Sequence, residues 1–160
     1  MKAKVDISEL IEFQKKLEAL EETDKTDFLR KLTNEAAMRL LEKVRPRTPT
    51  GEYPADSGKT GGTLKRGWAA KTAIKPLEVQ KLGRATVVTV RIINPVKYAS
   101  YVEYGHRQQP GRFVPAIGKR LKKGWVDGHF MLTKSEMELE QELPGIIERK
   151  LKKLFDGALK

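Results

Sequence analysis

The chain of 160 residues contains no cysteine. That absence excludes a disulfide framework, a thiolate metal site and a catalytic thiol, and it agrees with a reducing compartment. No apolar run approaches the roughly 20 residues that a transmembrane helix needs. The opening residues, MKAKVDISEL, also lack the apolar core of a signal peptide. We therefore expect a soluble protein that is not exported by the usual route and does not enter a membrane.

Negative charge is missing from one long segment, because residues 105–124 contain no Asp or Glu. The six basic residues of this segment are Arg107, Arg112, Lys119, Arg120, Lys122 and Lys123. The whole chain has a formal net charge of +11, and its hydrophobic share of 39% indicates a thin core. Such a basic excess favours polyanions or acidic protein faces. The segment is thus either a solvated loop or a contact surface for a polyanion or an acidic partner.

Residue patterns predict one domain over residues 1–160 with an α+β fold. We expect a small antiparallel β-sheet packed with N-terminal and C-terminal helices, and long Gly/Pro and basic loops. The predicted segments are a helical part (1–45), a flexible loop (46–67), a β part (68–94), a short helix (95–105), a basic loop (106–126) and a second helical part (127–160).

Prolines and caps predict where the helices begin and end. The first helix is expected to begin at Asp6 or Ser8, since these side chains can cap a helix N-terminus. A second helix follows and is expected to stop before Pro46. In the C-terminal part, Pro144 and Gly145 are expected to divide the helical segment in two.

The β part has its strongest signal at residues 86–93, a run rich in β-branched side chains. Residues 68–74 and 79–82 give weaker strand signals. The short helix that follows is expected to pack Tyr98 and Val102 inward, with Tyr101 as a further candidate, and to end at Gly105 as its C-cap.

Few side chains could carry catalysis. The only histidines, His106 and His129, have no second ligand at the spacing of a metal site. No nucleophile elbow is present, and the GKT at residues 58–60 lacks the first glycine and the preceding strand of a phosphate loop. The sequence therefore predicts a protein that is not an enzyme and has no cofactor or metal.

The order of short motifs resembles a known family. The chain reads PTG, LKRGW, a β-rich run that ends in Asn-Pro, YASYVEYGHR, a basic loop and then WVDGHFML. This order, over residues 49–132, resembles the tail-completion or neck proteins of long-tailed bacteriophages and prophage-derived tail particles. The residues that match best are Tyr98, Ala99, Val102, Glu103, Tyr104, Gly105, His106, Val126, Gly128 and Met131.

The resemblance implies a structural role in the virion, assembled in the host cytoplasm. Such proteins form a ring, commonly of six subunits, that completes the tail at the neck and joins it to the head connector. The implied partners are other copies of the chain, a head-closure or connector protein, and a tail terminator, tail-tube or sheath protein. Non-specific contact with DNA in the channel is also implied, because basic side chains bind phosphates without reading sequence.

Two groups of candidate site residues follow. We expect Tyr101, Tyr104, His106 and Trp125 to fix the root of the basic loop. We expect Arg107, Arg112, Lys119, Arg120, Lys122 and Lys123 to contact neighbouring subunits, an adjoining ring or DNA. The alternative is a free basic nucleic-acid-binding protein, which the net charge permits, although the sequence has no DNA-reading motif such as a zinc finger.

Overall fold

A computed structural model describes residues 22–58, 60–69, 75–83, 85–115 and 118–158. Two long helices, α1 (Glu22–Arg47) and α4 (Met131–Ala158), pack against each other. The elements between them are a 3-10 helix (Ala55–Ser57), α2 (Thr63–Gly67), β1 (Glu78–Leu82), β2 (Ala85–Thr89), α3 (Ala99–Tyr104), β3 (Gly105–Arg107), β4 (Phe113–Val114), β5 (Lys119–Arg120) and β6 (Trp125–Asp127). The helix expected to begin at Asp6 or Ser8 lies outside the described residues.

The α+β class is confirmed, and the strands divide into three antiparallel pairs, β1–β2, β3–β6 and β4–β5. The run 86–93 forms a continuous strand only as far as Thr89, and Ile92 then makes an isolated bridge. The strand expected to start at Trp68 is wrong at its beginning, because Trp68 and Ala69 form a turn after α2. Residues 70–74 lie outside the described part of the chain.

The 46–67 segment is not a continuous flexible loop, because it contains the 3-10 helix and α2. Leu64 of α2 and Trp68 beyond it are each only 3% exposed. They join Leu41, Val44 and Met131 in the core between α1 and α4. The apolar side chains of LKRGW therefore hold this Gly/Pro-rich segment against the two long helices.

Helix α1 runs through Pro46 and ends at Arg47, two residues later than expected. A proline in the last turn removes one backbone hydrogen bond and still permits a helical conformation. Thr48 closes the helix, since its hydroxyl donates to the Val44 carbonyl at 2.7 Å. The same hydroxyl accepts a hydrogen bond from the Trp68 indole Nε1 at 2.9 Å.

Helix α4 is continuous, so the expected division at Pro144 and Gly145 is wrong. Leu139 and Ile146, on either side of the proline, are 7% and 4% exposed. Burial of both halves offsets the single backbone hydrogen bond that Pro144 cannot make.

Ion pairs connect α1 to α4 along their length. Lys43 lies 2.8 Å from carboxylate oxygens of both Glu138 and Glu142. Glu35 pairs with Lys150 near the other end of the contact. Hydrogen bonds from Lys43 and Arg47 lower the pKa of Glu138, and those from Lys150 and Arg39 lower the pKa of Glu35. The charged forms of these carboxylates therefore stabilise the helix pair.

Candidate functional site: a basic hairpin and its root

Residues 105–127 form an antiparallel hairpin, which we call the basic hairpin. Strands β3 and β6 pair at its root, and β4 and β5 pair near its tip. Between these pairs, the Gln108 N–H donates to the Gly124 carbonyl at 3.0 Å, and the Leu121 N–H donates to the Arg112 carbonyl at 2.9 Å. The segment expected as a basic loop is thus a two-stranded arm. Backbone hydrogen bonds form its strand pairs, and these bonds need no particular side chains. The sequence therefore has no alternation of apolar residues that would have predicted the arm.

Two glycines bring α3, the hairpin and α4 together at the root. A Cβ at Gly105, where φ is +81°, would lie 2.4 Å from the Val126 carbonyl oxygen. A Cβ at Gly128 would lie 2.3 Å from the Glu103 carbonyl oxygen. Both approaches are far shorter than a carbon–oxygen contact, so only glycine fits. Gly105 also ends α3 as its C-cap, as expected.

Glu103 connects α3 to α4 through its carboxylate, and it is only 4% exposed. Its two oxygens accept hydrogen bonds from the Leu132 N–H at 2.9 Å, the Thr133 N–H at 2.9 Å and the Thr133 hydroxyl at 2.8 Å. The first N–H groups of a helix lack partners within the helix and carry partial positive charge. Glu103 therefore caps α4 from another element. The sequence indicates Glu103 only as a residue that matches the resembled family, because its partners lie about 30 positions away.

The four residues predicted to fix the root lie in or beside it. The Tyr101 and His106 rings are 5.7 Å apart and tilted by 55°. A carbon of the Trp125 ring lies 3.1 Å from the Cβ position of Gly105, and Tyr104 is the last residue of α3. Three of the four are well exposed: Tyr101 by 58%, Tyr104 by 62% and Trp125 by 48%. They present much of their ring surface to solvent, and whether they fix the root stays a prediction.

Tyr98 does not pack inward as expected, since it is 42% exposed. It precedes the first turn of α3, and the Val102 N–H donates to its carbonyl at 3.2 Å. Val102 packs against the core as expected, and Ala99 packs there as well, whereas Tyr101 is 58% exposed. Tyr98 is the N-cap residue of this six-residue helix and lies outside its helical turns.

A cleft of about 220 Å³, the root cleft, lies between α2, α3 and the start of the hairpin. Tyr53, Tyr101 and His106 contribute to its wall. The Nδ1 atom of His106 is buried without a hydrogen-bond partner among the described residues. Buried polar atoms of this kind are uncommon in folded proteins.

A second cleft, the α3–α4 cleft, has a volume of about 230 Å³ and a mainly apolar lining. Ile92, Ile93 and Leu132 line it, and Tyr104 stands at its edge. Glu136 follows Leu132 by one helical turn and so lies on the same face of α4. Partial desolvation raises the pKa of Glu136, and the charge of Glu103 raises it further.

All six basic side chains of the hairpin are exposed. None of them forms an ion pair with a carboxylate of the described residues. The Arg120 guanidinium donates to the Gly111 carbonyl at 2.8 Å within the arm. The arm therefore presents unneutralised positive charge beside the exposed aromatic rings of its root.

The described residues show no metal-ion cluster and no membrane-spanning helix. Nowhere in the described ranges do three His, Asp or Glu side chains group as they would to hold a metal ion. Within those ranges, too, every helix is too short or too polar to span a bilayer.

Comparison with known proteins identifies the family. Residues 11–105, more than half of the chain, match the family described as "Bacteriophage HK97-gp10, putative tail-component". The chain belongs to this HK97-gp10-like family. Membership makes it a structural component of a phage tail, located in the virion and in contact with other virion proteins, which confirms the expected kinship with phage tail proteins. No curated protein and no solved structure matches the chain.

Proposed function

We propose that this HK97-gp10-like chain forms a ring at the junction of tail and neck, where it completes the tail and joins it to the head connector. The observation that carries the proposal is a set of aromatic side chains, each more than 40% exposed, around the hairpin. They are Tyr98, Tyr101, Tyr104, Phe113, Trp125 and Phe130. Exposed apolar groups in such number are typical of a protein–protein contact surface.

The ring contains six copies, as the resemblance implies. On one side it meets a head-closure or connector protein, and on the other a tail terminator, tail-tube or sheath protein. The protein needs no catalysis and no cofactor for this role, and it assembles in the cytoplasm of the bacterial host.

The charge of the arm suits such a junction. Six exposed cations, none in an ion pair with a carboxylate of the described residues, would be attracted to acidic groups of a neighbouring subunit or an adjoining ring. Complementary charge sets the rate of encounter and the register of docking more than the final affinity.

Charge reversal of the arm tests this role. The double variant Arg112→Glu/Arg120→Glu should remain folded by circular dichroism, because both side chains are exposed. In a phage lacking its own copy of the gene, the variant should leave unjoined heads and tails. The matched control Lys65→Glu/Lys152→Glu changes the net charge equally at exposed sites outside the arm and should support joining. Normal yields of joined particles from the arm variant would refute the proposal.

The exposed cations also favour a second candidate, a free nucleic-acid-binding protein. Six phosphate contacts would give submicromolar binding to duplex DNA by the monomer, weakened roughly 10³-fold between 50 and 200 mM salt. The neck role predicts weak or no binding by the monomer. Fluorescence anisotropy with a labelled duplex at these two salt concentrations separates the candidates.

A further inference from the structure

We propose that the tip of the basic hairpin of one copy docks into the α3–α4 cleft of a neighbouring copy. Phe113 fills the cleft, and Arg120 pairs with Glu136, one helical turn beyond Leu132 of the cleft wall. The proposal rests on the ring described above and identifies the contact that closes it.

The tip presents an aromatic ring and a cation on one face. Phe113 is 51% exposed and lies directly opposite Arg120 in the β4–β5 pair. Opposed residues in an antiparallel pair project to the same side. The hydrogen bond from Arg120 to the Gly111 carbonyl holds the guanidinium at the tip. A guanidinium has five N–H donors, so the others remain available to a carboxylate.

The α3–α4 cleft fits such a side chain. Its volume of about 230 Å³ exceeds the cavity of about 150 Å³ that accommodates benzene in a well-studied protein interior. Ile92, Ile93 and Leu132 supply apolar walls. Ile93 is 37% exposed, so burying a phenyl ring there would remove apolar surface of both copies from water.

The face of α4 next to the cleft favours a cation. Glu136 forms no ion pair with any described residue. Partial burial raises the pKa of Glu136, and repulsion by the Glu103 charge raises it further. Glu103 cannot relieve this repulsion, because its oxygens are held by the first turn of α4. A guanidinium from outside would offset both negative charges.

The tip and the cleft of one chain do not meet. Phe113 does not line its own α3–α4 cleft, and it pairs across the ladder with Arg120 instead. β4 and β5 pack chiefly on each other. A contact between two different surfaces of identical chains is heterologous, and it generates a closed ring when the rotation between neighbours permits closure.

Charge exchange between copies tests the pairing in the full-length chain. Arg120→Glu and Glu136→Lys should each weaken self-association at least about tenfold, because each places like charges in contact. In an equal mixture of the two variants, every tip meets a cleft of opposite charge, so assembly should return. The double variant Arg120→Glu/Glu136→Lys should also assemble. Native mass spectrometry and analytical ultracentrifugation give the size and strength of the assemblies.

Phe113→Ala tests the apolar part of the contact and should weaken assembly at least about tenfold, since aromatic anchors dominate such interfaces. Leu82→Ala is the matched control, because Leu82 is 62% exposed on the separate β1–β2 pair. If Arg120→Glu, Glu136→Lys and Phe113→Ala all still form rings of wild-type size and strength, the docking contact is overturned and the proposal of a ring stands. Failure of the mixture to assemble would overturn the pairing of Arg120 with Glu136. A wild-type chain that never associates, alone or with tail proteins, would overturn both the contact and the ring.

Discussion

Glu103 and Thr133 are joined by two hydrogen bonds, at 2.9 Å from the Thr133 N–H and at 2.8 Å from its hydroxyl, both to one oxygen of the Glu103 carboxylate. The backbone supports the same junction, since the Phe130 N–H donates to the Glu103 carbonyl at 3.0 Å. The end of α3 and the start of α4 are therefore bound directly to each other, and the basic hairpin leaves the fold between them.

We expect Glu103→Ala to lower the free energy of unfolding by about 1.5–3 kcal/mol, because hydrogen bonds to a buried charge and a helix cap are lost together. Urea denaturation followed by circular dichroism measures the change. Glu140→Ala removes an exposed carboxylate of α4, the helix that Glu103 caps, and should stay within about 0.5 kcal/mol of wild type. Equal losses in the two variants would contradict the capping role.

We expect Gly128→Ala to destabilise the protein by about 3 kcal/mol or more, since its Cβ would meet backbone atoms of residues 103 and 104 that cannot move aside. Gly145→Ala is the control within α4. Its Cβ would have no atom within 4 Å, and alanine in a helix interior should raise stability by up to about 1 kcal/mol. Thermal melts of both variants should therefore shift in opposite directions.

Thr48→Val should lower the free energy of unfolding by about 1–3 kcal/mol. Valine keeps the shape of threonine but leaves the Trp68 indole N–H without its acceptor in a buried position. The exposed Thr60→Val should have little effect. Chemical denaturation of the two variants would show a similar midpoint if the hydrogen bond to Trp68 contributes nothing.

Acid should destabilise the contact between α1 and α4. The pKa values of Glu35 and Glu138 are lowered below the ordinary 4.5 in the folded chain. Their stabilisation is thus present above pH 4.5 and is lost as the pH falls through the lowered folded values. Glu136 has the opposite effect on stability, because its pKa is raised in the folded state. Its protonation at low pH therefore favours the folded chain. We expect the net melting temperature to fall between pH 5 and pH 3.

The variant Glu138→Gln should make the melting temperature depend less steeply on pH, and the exposed Glu140→Gln should leave this dependence unchanged. Melting temperatures at a series of pH values, followed by circular dichroism, measure both. If Glu138→Gln leaves the pH dependence of the melting temperature unchanged, solvent screens the ion pairs of Glu138 with Lys43 and Arg47.

The long helices were predictable because their apolar residues recur at helical spacing over several turns. Their ends were not, since local rules gave Pro46 and Pro144 more weight than the packing around them. Burial of Leu139 and Ile146 on both sides of Pro144 depends on α1, which lies about a hundred positions earlier in the chain. Tertiary contacts of this kind leave no local trace in the sequence.

That Tyr101, Tyr104 and His106 lie near one another could be predicted because they are close in sequence. The arm beyond them could not, since a strand pair held by backbone hydrogen bonds needs no apolar pattern. The α3–α4 cleft could not be predicted from the sequence either. Its walls come from Ile93, Tyr104 and Leu132, on three segments that only the folded chain brings together.

The backbone hydrogen bonds at the base of the arm have a further consequence for the architecture. His129 and Phe130 return to Val102 and Glu103 immediately after the hairpin ends, so the chain re-enters the two-helix body at the point where it left. The arm is thus an insertion whose two ends are held together at one position in the fold. The length, the charge and the tip residues of the arm can therefore change while the rest of the chain keeps the same fold.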